Sequence, residues 1–487
     1  MKVLLIDPKR LGLETYLIIP NVGLGYIAAS LRRGGHEPEI CSAARDSLFP
    51  THVAERAARG GFGLAGITVF TSYFSSAAAY AREIRRLAPG IVLAAGGPHA
   101  IFEPQEVLER MPEVDYVVTG EGEETLPLLA SMLEGERRPD GEALSAIPNL
   151  CFRDGGGAVA TPRRVIADIK PLDLPAWDLL EPHRFGLYPN GIFTMKKKIA
   201  PVVTSRGCPY PCTFCGAGTA MGKKVRHRDP DSVVEEMRHL RDGYGIREIH
   251  VMDDNFTVDR GFAVEVCERL IRADLGLVWA CPSGIRLDCL DEELARLMRR
   301  AGWYSTSVGI ESGSSRVLEL MKKRISLDEV PGKVEMLARN GVRVTGFFIL
   351  GFPGETLEEM RRTVRLALKL RLARVNFFNF TPFPGSEAYR RLKDEGRLRN
   401  VNYDEMYIHS LSWCPDSVGE KALRSIQRRA YVRFYMRPGI ILGLSREIHS
   451  LTQVKIIIQR ALRILFPRAR GRRRFPGLPG AKPAAGL

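Results

Sequence analysis

Twice along this chain, short apolar runs alternate with segments of helical length, and that rhythm narrows the choice of fold more than any other feature. In the first series Val3–Ile6, Glu39–Cys41, Leu64–Phe70, Ile91–Ala95 and Val114–Val118 are spaced by helix-like runs such as Gly25–Arg33, Ser75–Leu87 and Glu123–Glu134. Strands this apolar are buried on both faces, and helical crossovers supply the cover, so an α/β fold with a parallel sheet is expected. The second series has strands at Ala200–Thr204, Glu248–Met252, Val278–Cys281, Ser305–Ile310, Val342–Leu350 and Val375–Phe380. Its helices are expected at Pro230–Arg241, Gly261–Ala273, Asp291–Ala301, Leu327–Asn340 and Leu357–Leu370. That pattern predicts a partial (β/α)6 barrel of TIM type, two units short of a closed ring. Residues 1–135 therefore read as a Rossmann-like domain, 136–198 as a connector, 199–400 as the barrel, and 401–487 as a helical, basic region.

Both architectures bind ligands beyond the carboxyl ends of their strands. In the first series those ends carry Thr68 and Thr71, Gly96-Gly97-Pro98-His99, and Thr119-Gly120-Glu121-Gly122. No G-x-G-x-x-G opens the first helix, so the ligand expected there is not a dinucleotide. In the second series the first strand runs into Cys208-Pro-Tyr-Pro-Cys212-Thr-Phe-Cys215, between Gly207 and Gly216. The other six cysteines are scattered singly; the odd total of nine, without secretory features, fits reduced thiols in the cytoplasm. Three thiolates can hold three corners of a [4Fe–4S] cluster and leave the fourth iron open. Structural zinc, which wants four ligands in paired spacing, is a weaker fit.

This C-x3-C-x2-C run resembles the radical S-adenosylmethionine (SAM) signature. The resemblance implies that Cys208, Cys212 and Cys215 bind the cluster, that SAM chelates the open iron, and that its reductive cleavage gives a 5′-deoxyadenosyl radical. It further implies that Phe214 borders the adenine and that Asp253 and Asp254 lie on the loop meeting the SAM amino group. Glu311 and Ser312 resemble the ribose-facing strand end, and Gly346-Phe-Phe-Ile349-Leu-Gly351-Phe-Pro-Gly354-Glu355 the adenine-contacting segment. Arg286 lies on the same rim, ready for a carboxylate or for a plain salt bridge. The bland alternatives are a solvated turn at Asp253-Asp254 and a helix cap at Glu311.

A Rossmann-like domain ahead of such a barrel resembles the cobalamin-dependent radical SAM enzymes. The matching segments are Val22-Gly-Leu-Gly-Tyr-Ile-Ala-Ala-Ser30, Gly66-Ile-Thr-Val-Phe-Thr71, Gly96-Gly-Pro-His-Ala100 and Asp115-Tyr-Val-Val-Thr-Gly-Glu-Gly-Glu123. The resemblance implies cobalamin across the strand ends, near Thr68, Thr71, Gly96, Gly97, His99, Gly120 and Glu121. Small residues there let the backbone approach a flat corrin ring. The D-x-H-x-x-G motif that would supply a lower cobalt ligand is absent. The implied activity is a C-methyltransferase acting on an unactivated carbon of a small-molecule or lipid-like substrate, with an external electron donor of flavodoxin or ferredoxin type. Radical cyclisation or rearrangement, as in a porphyrin-type cyclase, is the alternative. A tRNA-modifying role is disfavoured, because neither a second cysteine set nor a small β-barrel RNA module is present.

Charge is distributed unevenly. The chain carries 71 Lys and Arg against 56 Asp and Glu. From Lys421 to Leu487 there are 16 cationic residues and one acid, Glu447, which leaves 55 charges of each sign in the remainder. Leu451, Val454, Ile458, Leu462 and Leu465 recur at helical spacing, with Lys455, Gln459, Arg460 and Arg463 between them, and Arg468–Arg474 follows. That predicts a cationic amphipathic helix. Three readings stay open: a packed terminal helix with a disordered basic end, contact with an anionic membrane surface that holds the protein peripheral to the inner face, or contact with nucleic acid or another polyanion.

Overall fold

The computed structural model describes residues 1–12, 18–135, 139–185, 194–398, 401–407, 410–448 and 450–465. The first sheet has seven strands: β1 (Lys2–Asp7), β2 (Glu37–Ser42), β3 (Leu64–Thr68), β4 (Val92–Gly96), β5 (Tyr116–Val118), β6 (Leu150–Asp154) and β7 (Gly157–Ala160). Their order is β2-β1-β3-β4-β5-β6-β7. The strands β1 to β5 pair in parallel, and Val3, Leu4, Leu5 and Ile6 are essentially inaccessible, as burial on both faces requires. The order reverses between β1 and β3, which opens a crevice at the carboxyl ends.

β6 and β7 come from the segment expected to be a connector. They join antiparallel to β5 and to each other. Gly155 and Gly156, both at positive φ, make the two-residue hairpin turn between them. The sequence pattern hides this hairpin because β7, Gly-Ala-Val-Ala, buries none of its residues. It therefore carries no apolar alternation.

The second sheet contains β8 (Ile199–Val202), β11 (Glu248–Val251), β12 (Val278–Ile285), β13 (Trp303–Glu311), β14 (Arg343–Leu350) and β15 (Arg374–Asn379), ordered β15-β14-β13-β12-β11-β8 and parallel throughout. A short antiparallel ladder, β9 (Ser205–Arg206) with β10 (Arg226–His227), stands just past β8. These six strands are the expected partial barrel. An open barrel leaves β15 with unpaired backbone groups. The helix Glu420–Tyr435 satisfies them with side chains. Gln427 Nε2 donates to the Phe377 carbonyl at 2.7 Å. The Tyr431 hydroxyl accepts from Phe377 N at 3.0 Å, and the Tyr435 hydroxyl accepts from Val375 N and donates to its carbonyl at 3.0 Å. Four helical residues rise about 6 Å and two strand residues about 6.6 Å, so side chains four apart meet alternate strand residues.

The domains are joined by buried polar contacts. Trp177 Nε1 donates to Glu236 at 2.9 Å, and Arg228 bridges the same carboxylate to the Tyr26 hydroxyl. The apolar core runs without a break from β1 through Trp177 into the barrel. The expected C-terminal helix forms over Leu451–Leu465, while the basic run Arg468–Arg474 lies outside the described residues. Among the described residues, no helix is long and apolar enough to cross a membrane.

Candidate functional site

The cysteine loop leaves β9 through Gly207, whose φ is 97°. A Cβ there would collide with the carbonyls of Lys224 and Gly222, so only glycine fits. The loop is clamped from both sides: Cys208 N donates to Gly222 O, Thr213 N to Met321 O, and Ala388 N to Thr213 O. Cys208 and Cys212 are half-buried and Cys215 is exposed; all three are free thiols. Burial raises the Cys208 and Cys212 thiols above their ordinary range, and nearby Lys323 and Arg286 pull Cys212 partly back. Among the described residues, no three His, Cys, Asp or Glu side chains converge on one metal ion. A cubane asks for something different, one thiolate on each of three irons.

The residues expected around SAM separate into two groups. Phe214, Asp254, Arg286 and Glu311 lie beside the thiols. Asp254 accepts from the Gly207 amide, and its carboxyl is pushed up to about 6 by burial and by Asp253. Arg286 stacks on Tyr210, 3.7 Å from the ring centroid, and binds Asp288 and the Lys323 carbonyl. Its Nη1 is buried and has no hydrogen-bond partner, which suits an anionic ligand. Glu311 sits at φ 65° and accepts from the buried Lys323 ammonium at 2.8 Å; that ammonium is 5.9 Å from the Phe214 ring centroid.

Three others serve the scaffold. The Asp253 carboxylate accepts from Thr204 N at 2.7 Å, Thr204 Oγ at 2.5 Å and Ser205 Oγ at 2.6 Å, which ties β11 to the start of the cysteine loop. Ser312 is fully buried, its hydroxyl engaged with Thr363 Oγ and the Ser314 amide. Gly351, at φ 80°, lies under Leu423 of the edge-covering helix and donates its N–H to Glu355 at 2.7 Å.

In the first sheet, Thr68, Gly96 and Gly120 line up at the ends of the neighbouring strands β3, β4 and β5. Gly97, at φ 95°, lies so close to Thr68 and Val69 that a Cβ would press on both. Two of the expected residues already have partners within the protein. His99 is fully inaccessible, wedged 4.4 Å from the Tyr403 ring centroid with Nδ1 on Thr71 Oγ1, and burial lowers its pKa to about 4. It packs as a core residue between Thr71 and Tyr403. Glu121 spends its carboxylate on Arg206 and Arg226, both at 2.7 Å, and on Ile166 N. Gly120 is small because Asn149 lies against it.

The two sets of strand ends face each other. Phe102, in the short helix after Gly97, packs its ring on Gly216 and Gly385, directly beside Cys215. Arg206, two residues before Cys208, forks between Glu121 and Glu123 at 2.7 and 2.6 Å. This clamp and Lys323 were not expected from sequence. The position of Arg206 next to the cysteine loop was the one available signal.

Comparison with known proteins agrees with both halves. The radical SAM superfamily profile matches residues 202–367, and the B12 binding domain profile matches residues 8–130. The chain is 30% identical over 475 residues to an uncharacterised methyltransferase of Pyrococcus horikoshii, covering 96% of this chain and 98% of that one. It is 32% identical to cytidylyl-2-hydroxyethylphosphonate methyltransferase of Streptomyces wedmorensis, over 81% of this chain and 82% of the relative. The fold resembles that of the radical SAM methyltransferase TsrM of Kitasatospora setae, solved with cobalamin and a [4Fe–4S] cluster. That likeness has a TM-score of 0.70 at 19% identity, over 90% of this chain and 89% of the other.

Proposed function

This chain belongs to the cobalamin-dependent radical SAM enzymes, whose cofactors are a [4Fe–4S] cluster, SAM and cobalamin, and we propose that it methylates an unactivated carbon of a small-molecule or lipid-like substrate. The observation that carries this reading is the placement of three free thiols on a clamped loop against the glycine-lined ends of β3 to β5. When bound, the cofactors supply hydrogen-atom abstraction and a transferable methyl group, which reach carbons that acid–base chemistry does not.

The chain's own residues hold and orient. Cys208, Cys212 and Cys215 would ligate the cluster. Arg286 Nη1 would take the anionic end of SAM, with Phe214 as the apolar wall beside it and Glu311 held by Lys323. Thr68, Gly96 and Gly97 would leave a flat, lightly polar floor for the corrin, with His99 withheld from cobalt beneath Tyr403. Phe347 and Phe378 meet edge-on at 5.2 Å. They alternate along their strands with the buried Phe348 and Phe377 and stay half-buried themselves, so they would line the substrate side.

The test is anaerobic reconstitution with iron, sulfide, cobalamin, SAM and a flavodoxin-type reductant, with candidate substrates. Formation of both 5′-deoxyadenosine and S-adenosylhomocysteine, dependent on cobalamin, supports methyl transfer. 5′-Deoxyadenosine alone assigns cyclisation or rearrangement. Absence of both with a loaded cluster overturns the reading.

A further inference from the structure

Of the large apolar side chains that stand exposed among the described residues, half lie between residues 432 and 462. Scattered single cases are ordinary, but such a concentration marks a contact surface. The helix Pro438–Ser445, Pro-Gly-Ile-Ile-Leu-Gly-Leu-Ser, buries none of its residues. Ile441 and Leu442 are 48% and 54% exposed. In the next helix Leu451, Ile458 and Leu462 fall on one stripe and are all exposed.

The position of this surface follows from hydrogen bonds already described. Gln427, Tyr431 and Tyr435 step down β15 from its carboxyl end towards its start, so the helix Pro438–Ser445 begins at the foot of the barrel. Arg437 donates there to the Leu368 carbonyl at 2.7 Å. Glu447, between the last two helices, pairs with Arg374 and Arg343, the first residues of β15 and β14. The thiols stand at the opposite end of these strands, about 26 Å away for an eight-residue strand.

Charge selects the occupant. Glu447 is the one acid after Lys421, and it is consumed by those two arginines. Arg433, Arg446 and Lys455 are exposed around the apolar side chains. A second copy seated on the same face would bring two cationic surfaces together, since a two-fold interface pairs a patch with itself. A nucleic acid would use the cations and leave Ile441, Leu442 and Leu451 in water. A bilayer with anionic headgroups uses both.

We propose that Met436, Ile441, Leu442, Leu451, Ile458 and Leu462, with Arg433, Arg446 and Lys455 around them, form a membrane-docking face, which holds the foot of the barrel on an anionic bilayer with the cysteine loop directed away from it. The face anchors the enzyme and does not feed its site, so it stands independently of the proposed reaction. Flotation of the full-length protein with vesicles of phosphatidylcholine alone, and of phosphatidylcholine mixed with phosphatidylglycerol, tests it. Binding is expected on the mixed vesicles only, weakening as salt is raised. The Ile441→Glu/Leu442→Glu variant should lose about tenfold or more of that binding. The Arg446→Glu/Lys455→Glu variant, which leaves the apolar side chains in place, should lose about tenfold. Equal flotation on both lipids, absence of flotation, or variants that float like the parent would overturn the proposal. So would a dimer that the Ile441→Glu/Leu442→Glu variant dissolves, because the face would then belong to a second copy.

Discussion

The two strand-end surfaces that meet at the centre of the molecule present chemistry in opposite ways. The barrel end offers atoms: three thiols, an orphaned guanidinium nitrogen on Arg286, and the buried Lys323–Glu311 pair. The end of the first sheet offers space: Gly96 and Gly97, beside side chains already occupied elsewhere, His99 with Thr71 and Glu121 with two arginines. The difference suits the proposed roles, one surface to ligate and the other to be lain upon. A polar residue beside a glycine-lined floor is more often part of the support than part of the contact. The clamp from Arg206 to Glu121 and Glu123 then sets the register of the two surfaces.

The comparison can be broken one surface at a time. The largest effect is expected from Cys212→Ala, which would remove one of the three proposed iron ligands. Cluster iron should fall sharply and SAM cleavage by roughly a thousandfold or more, since the metal site needs every ligand; cobalamin retention should persist. Gly97→Val should do the reverse. A β-branched side chain at φ 95° is strained and presses on Thr68 and Val69. Cobalamin retention should fall about tenfold or more, with the iron content unchanged. If either variant loses both cofactors while remaining folded, the two surfaces are not separable.

Arg206→Met tests the register between them. It leaves Glu123 buried without its cation, which costs on the order of 3 kcal/mol by denaturant unfolding. Arg226 still holds Glu121, so each cofactor should load but product formation should fall. Unchanged stability would show that the clamp is not under load.

The mildest test concerns the barrel end alone. Glu355 is fully buried, accepts the N–H groups of Gly351 and Phe352, and has its carboxyl pushed up to about 8 by burial. Because the folded chain holds this proton above the ordinary carboxyl range near 4.5, stability should fall as pH rises from about 4.5 towards 8. The slope should approach about 1.4 kcal/mol per pH unit at its steepest. Glu355→Gln should flatten the upper part of that profile, above about pH 6 where the raised Asp7 and Asp254 carboxyls no longer contribute, in melting curves without changing cobalamin retention. A profile that keeps its slope in the variant would place the titration elsewhere.

The parts legible in the residues alone share one property: they are local. Strand burial repeats within four to nine residues, so β8, β11, β13 and β14 lie close to where apolar runs predict them. The thiol spacing is likewise contained in eight residues. What the local pattern does not contain is long-range. Asp253 looks available until Thr204 and Ser205 arrive from another strand. Ser312 is claimed by Thr363, Glu121 by arginines 85 and 105 residues away, and β7 has no apolar signal at all.

Chain order and side-chain chemistry thus settled the fold class, the two series of strands, the spacing of the three thiols and the neutrality of the body against its cationic end. Packing alone decided which carboxylates remain uncommitted, how β15 is closed by a helix, and at which end of the barrel the cationic helices lie. The physical reason is that burial is a property each segment carries in its own pattern. A hydrogen-bond or charge partner, by contrast, is chosen only when distant segments compete for the same atom.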